Sequence, residues 1–162
     1  MTLAHSTRKP SAWLALAGFG VAVAAAALIG GLGVAGTSAE YQSLSQPSWA
    51  PPSWLFGPVW TVLYAMIAVA GWLVWRRTGW TRALTVYAVQ LAVNAAWTPI
   101  FFGFGQYGLA LADIIVMWFL IGATVWLFRP VSRLAAALLL PYWAWVTFAT
   151  ALNAWIWLRH TG

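Results

Sequence analysis

Long apolar runs separated by short polar links dominate the chain. Five runs stand out, at about 11–36, 53–75, 82–102, 106–128 and 133–158. Each holds at least twenty residues, enough for a helix to cross a hydrocarbon layer of about 30 Å. No water satisfies backbone groups in that layer, so helix is the expected conformation of every run. The links at 76–81 and 129–132 are short, so the helices they join run antiparallel. The pattern predicts an all-α integral membrane protein: one five-transmembrane-helix bundle over 11–158, after a short tail at 1–10, with a longer link at 37–52.

Charge adds a direction to this picture. Only 6% of the residues are charged and 63% are hydrophobic, where a soluble domain carries roughly 25% charged residues. With five spans, Arg8, Lys9, Arg76, Arg77, Arg82, Arg129 and Arg133 share one side, while Arg159 and Glu40 fall on the other. By the positive-inside rule the N-terminus is expected in the cytoplasm and the C-terminus outside. The net charge of +6 therefore reads as topology, with lipid as the neighbour and no nucleic-acid partner. A cleaved signal peptide is the rival reading of the first run. That run, about 25 residues, exceeds the 7–15 of a usual signal core, so a retained span is expected. The small, alanine-rich chain points to a bacterial plasma membrane.

The link before the second run is unusual in chemistry. The stretch 48-SWAPPSWLFGPVWT-61 holds three tryptophans and three prolines. Pro51 and Pro52 precede the helix, where a missing N–H costs nothing. Pro58 lies deeper and would bend the helix unless a separate turn precedes it. Trp49 and Trp54 fit the membrane boundary, whereas Trp60 falls inside the helix, with Tyr64 one turn on. Gln90, Asn94, Trp97 and Phe101 share a face of the third helix; Pro141, Trp145, Ala149 and Asn153 recur at every fourth position of the fifth. Such mixed aromatic and amide faces serve either to join helices or to line a pocket for a flat, largely apolar ligand.

Asp113 is the one acid within a span. An embedded carboxylate is costly and a functional candidate by default, but its shallow depth favours a structural role, such as a hydrogen bond to the tryptophan–proline link; Gln90 is read as structural too. His5 and His160 lie at the chain ends and cysteine is absent. No span offers an axial haem ligand, a metal-ligand set or a nucleophile–base pair, so neither metal nor resident cofactor is expected.

Three blocks make the chain recognisable: 47-PSWAPPSW-54 with 57-GPVWTVLY-64, then 90-QLAVNAAWTPIFF-102, then 141-PYWAWVTFATALN-153. With them the chain resembles the translocator protein/tryptophan-rich sensory protein (TspO/MBR) family, over about residues 41–159. The resemblance implies a five-helix bundle, commonly a homodimer, with a cavity under the tryptophan–proline link, which acts as a lid through Trp49, Pro51, Pro52 and Trp54. It places Trp60, Tyr64, Asn94, Trp97, Pro99, Trp145, Ala149 and Leu152 on the cavity wall. Protoporphyrin IX or another tetrapyrrole is the implied ligand, with synthetic benzodiazepine-type molecules as further ligands.

The chain also departs from animal members of that family. Ala154 stands where the cholesterol pattern needs Tyr, which weakens the case for a sterol. Leu109 replaces a Trp early in the fourth helix and is expected to reshape that wall. Thr85 and Val89 replace a pair of small residues at the dimer face. Three functions follow from the resemblance and the residues together. The first is a receptor or carrier for porphyrins, and it ranks first because the residues offer a pocket but no acid–base machinery. The second is a light-dependent porphyrin-degrading enzyme using Trp60 and Trp145 as electron donors. The last is a proton- or ion-coupled transporter built on Asp113.

Overall fold

The computed structural model describes residues 8–34, 47–50 and 55–160. Five helices account for nearly all of them: α1 (Arg8–Val34), α2 (Phe56–Thr78), α3 (Arg82–Thr98), α4 (Tyr107–Phe128) and α5 (Arg133–His160). The protein is an all-α integral membrane protein. α2, α4, α5, and α3 with its extension to Gly103, are each long and apolar enough to cross a membrane, and α1 contributes the apolar stretch Ala12–Leu28.

Helix ends differ from the sequence pattern where proline or arginine decides them. α2 begins at Phe56, which leaves Pro58 in its first turn, where no hydrogen bond is lost. It also runs on through Arg76 and Arg77, cations suited to the negative end of a helix dipole. α3 changes character at Pro99, whose ring nitrogen cannot donate to the preceding turn. The chain widens there into a π-helical turn, Pro99–Gly103, closed by Phe104 N–H to Pro99 O at 3.0 Å. Gly105, at φ +62°, then reverses the direction toward α4.

Going round the bundle, α1 packs on α2, α2 on α5, α5 on α4, α4 on α3, and α3 returns to α1; α2 and α3 themselves barely touch. These two helices therefore look at one another across the interior. At the arginine-rich end the interior is filled. Tyr87 donates to Ile67 O at 2.8 Å and stacks on Phe128 at 5.7 Å. Gly71 makes this possible, because a Cβ there would lie 2.6 Å from Tyr87 Cζ and 2.9 Å from Phe19. Arginine–indole pairs sit toward both ends, Arg76 over Trp72 at 4.6 Å and Arg159 over Trp155 at 4.7 Å. Such pairs place a charged head in the lipid headgroup layer with its stem along an apolar ring.

Candidate functional site

Above the Tyr87 plug, one hydrogen-bond chain spans the interior between α2, α3 and α5. The Tyr64 hydroxyl donates to Asn94 Oδ1, Asn94 Nδ2 donates to the Tyr142 hydroxyl, and Tyr142 donates to Gln90 Oε1, each at 2.8 Å. Gln90, Asn94 and Tyr142 are buried, while Tyr64 is partly exposed. The chain bridges α2 to α3, which otherwise share few contacts. Gln90 Nε2 has no partner among the described residues.

Rings surround the accessible end of this chain. Trp60 stacks on Tyr64 at 5.4 Å and meets Tyr142 and Trp145 edge to face at 6.2 and 6.4 Å. Trp145 leans on Phe148 at 5.7 Å. Trp49, 46% exposed, sets its edge against Phe148 at 5.4 Å. The described part of the predicted lid thus reaches the same wall, and its turn is closed by Ala50 N–H to Pro47 O at 3.0 Å. Pro51, Pro52 and Trp54 lie outside the described residues.

A second group gathers nearer the π-helical turn. Trp97 Nε1 donates to Asn153 Oδ1 at 3.0 Å, and Asn153 Nδ2 donates to Tyr107 O at 2.9 Å, tying α3, α5 and the start of α4 together. Trp97 stacks on Phe101 at 5.1 Å. Leu152 packs with Phe101, Ala110 and Ile156, and Ala50 rests on that cluster. Ala149 is buried in the main core, and Pro99 is half-buried at the head of the π-helical turn. Trp97 touches both cores, so it joins the two groups of residues read from the sequence.

Two sequence expectations change, and Asp113 stands apart. Pro141 is exposed and Tyr142 takes the inward place. A row of every-fourth residues drifts by about 40° per step on a helix of 3.6 residues per turn, so Pro141 is carried about 120° away from Asn153. Tyr142 was legible as the residue three before Trp145 and seven before Ala149. Leu109 does not reshape the wall: it is 58% exposed, on the outside of α4, whose inward row is Ala110, Ile114, Met117 and Ile121. Asp113 is half-buried and its Oδ2 has no hydrogen-bond partner among the described residues.

Chemically, the site offers indole and phenol faces, amides locked in a chain, and one hydroxyl at the open end of that chain. It supplies stacking and hydrogen bonding. Among the described residues no group of three or more His, Cys, Asp or Glu is placed to hold a metal.

The sequence profile of the TspO/MBR family matches residues 18–158. The translocator protein of Homo sapiens is 40% identical over 156 residues, covering 93% of this chain and 92% of that protein. The tryptophan-rich sensory protein of Cereibacter sphaeroides is 43% identical over 70% of this chain and 72% of its own length. Protein CrtK of Rhodobacter capsulatus is 36% identical over 89% of this chain and 93% of its own.

Proposed function

The chain belongs to the TspO/MBR family, and from that premise we propose that it is a receptor or carrier that binds protoporphyrin IX and related flat, largely apolar molecules between α2, α3 and α5. One observation carries the reading. Trp60, Tyr64 and Trp145 present ring faces and edges beside the Tyr64–Asn94–Tyr142–Gln90 chain. A macrocycle stacked on one indole meets the edge of the other, and its polar groups find the Tyr64 hydroxyl. The apolar area removed from water supplies most of the affinity, and the few polar groups set the orientation.

In this reading Trp49, Pro51, Pro52 and Trp54 form a lid. Their rings and prolines restrict its conformations, so less entropy is lost on closing. Contact of Trp49 with Phe148, and of Phe148 with Trp145, couples lid position to the wall. The relatives' names, a translocator and a sensory protein, favour a role in moving tetrapyrroles or controlling their level. Benzodiazepine-type molecules fit the same wall. The N-terminus faces the cytoplasm of a bacterial plasma membrane, and the protein assembles as a homodimer.

A second reading has its own support. Trp60 and Trp145 lie 6.4 Å apart edge to face, so two electron-rich indoles would border a ligand bound in this reading. Light-excited porphyrin can take an electron from one of them and pass it to dioxygen, giving superoxide. The indole radical cation regains an electron from the macrocycle, whose radical cation combines with superoxide, so that both atoms of dioxygen add to the porphyrin and the indole is restored. Protoporphyrin IX is titrated into the detergent-purified protein in the dark, and absorption spectra are then followed under illumination. Saturable binding with an unchanged spectrum supports the carrier. Bleaching with a new product that is lost in Trp145→Phe makes the protein an enzyme. Absence of saturable binding, or binding untouched by Asn94→Ala and Trp145→Phe alike, overturns the assignment of the ligand to this site.

A further inference from the structure

The α4–α5 link encloses a recess of about 740 Å³ far from the aromatic wall. Arg77, Arg129 and Arg133 line it, with Trp126, Ser132 and Leu134. We propose that this recess holds the phosphate of an anionic phospholipid, of the phosphatidylglycerol type.

Charge is the first argument. Asp113, the one acid among the described residues, lies in the first half of α4, at the opposite end of that helix from Arg129 and Arg133. Among the described residues no carboxylate neutralises the three guanidinium groups. Helix polarity is the second argument. α5 starts at Arg133 and has no acid in its first turn. Arg133 thus sits at the positive end of a helix dipole, the wrong sign for stability, beside Arg129 at the C-cap of α4, and a bound anion removes the conflict at Arg133.

Free donors are the third argument. Ser132 spends its Oγ on the N–H of Ala135 at 3.1 Å, and its carbonyl accepts the N–H of Ala136. The N–H groups of Arg133 and Leu134, in the first turn, have no intrahelical acceptor. The link itself is held in shape, because Val131 and Ser132 both donate to Phe128 O and Arg77 Nη1 donates to Val131 O at 2.6 Å. That bond also fixes the Arg77 guanidinium at the rim. Basic pockets of this kind, at the membrane face between helices, suit lipid phosphates.

The recess also continues onto the lipid-facing surface. Trp126 is 74% and Leu134 61% exposed, so an occupant meets arginines at one end and apolar side chains at the other. An amphiphile satisfies both, whereas inorganic phosphate leaves the apolar part unused.

The test titrates dioleoyl phosphatidylglycerol or dioleoyl phosphatidylcholine into the delipidated full chain in detergent, with retained lipid counted by native mass spectrometry. The wild type is expected to keep phosphatidylglycerol at least tenfold more tightly than phosphatidylcholine. Arg129→Gln with Arg133→Gln is expected to weaken that binding by roughly 30-fold, the loss of two membrane-surface cations. Arg8→Gln with Lys9→Gln, an equal change in charge, is expected to leave it within about twofold. Should the double variant fail to fold by circular dichroism, Arg133→Gln alone is read instead, with an expected loss of roughly fivefold. Equal retention of the two lipids overturns the proposal, as does an equal loss in the control variant. Displacement of the lipid by millimolar inorganic phosphate overturns the lipid as occupant and makes the recess a phosphate site.

Discussion

Replacing Tyr142 by Phe isolates the hydrogen-bond chain from everything else at its position. Tyr142 is fully buried, and the substitution keeps the ring and its edge contact with Trp60 at 6.2 Å. Only the oxygen that accepts from Asn94 and donates to Gln90 is removed. Two interhelical bonds between α3 and α5 are lost. Inside membrane proteins each averages about 0.6 kcal/mol, since the separated helices find other partners, so the floor is about 1.2 kcal/mol. Gln90 Nε2 already has no partner among the described residues, so the change strips the rest of a buried amide. A buried orphan costs about 1–3 kcal/mol, which sets the ceiling near 3 kcal/mol. Tyr64→Phe removes one bond at the partly exposed end, so about 0.6 kcal/mol is expected there. The measurement is reversible unfolding in mixed micelles, for wild type, both phenylalanine variants, Asn94→Ala, and Asn94→Ala combined with Tyr142→Phe. A Tyr142→Phe loss below about 0.3 kcal/mol, or strict additivity with Asn94→Ala, would refute the argument that this chain holds α3 to α5.

Other outcomes follow from the same geometry. Gly71→Ala forces a methyl to within 2.6 Å of the Tyr87 ring and is expected to destabilise by about 1–3 kcal/mol; Gly57→Ala, where nothing lies within 4 Å, serves as control in the same unfolding assay. Asn153→Ala releases the Trp97 indole and the Tyr107 carbonyl and is expected to weaken protoporphyrin binding about tenfold by loosening that end of the site; unchanged affinity in a fluorescence titration would place Trp97 outside it. Trp60→Ala removes the indole proposed to stack on the macrocycle, worth about 0.5–1.5 kcal/mol, so porphyrin affinity is expected to fall by roughly 2- to 13-fold in the same titration. Asp113→Asn is expected to leave porphyrin binding and folding intact, since Asp113 Oδ2 has no partner among the described residues; loss of proton-coupled uptake in vesicles would instead favour a coupled transporter.

The clustering of the aromatic and amide side chains was largely legible in the sequence. Trp60, Tyr64, Asn94 and Trp145 converge as their spacing and the three recognisable blocks imply. Their helices are long, and neighbouring positions on a face stay in phase over a turn or two. Tyr142 was missed for the complementary reason. Over twelve residues an every-fourth row leaves the face it started on, and the inward position passes from Pro141 to Tyr142. Leu109 was misplaced because a one-residue offset turns a side chain by about 100°, and sequence alone does not give the rotation of α4 about its axis.

The membrane class, the five apolar segments and the concentration of arginine at one end were all determined by sequence. They depend on the transfer of side chains out of water, which each residue undergoes largely independently of its distant neighbours. The order of helices around the bundle was decided by tertiary structure, because every apolar face suits lipid as well as it suits another helix. Only close packing and polar pairing choose between them. Gly71 admitting the Tyr87 ring, Tyr142 joining Asn94 to Gln90, and Asn153 holding Trp97 beside Tyr107 make that choice. They leave α2 and α3 joined across the aromatic interior through Tyr64 and Tyr87, with few other contacts between them.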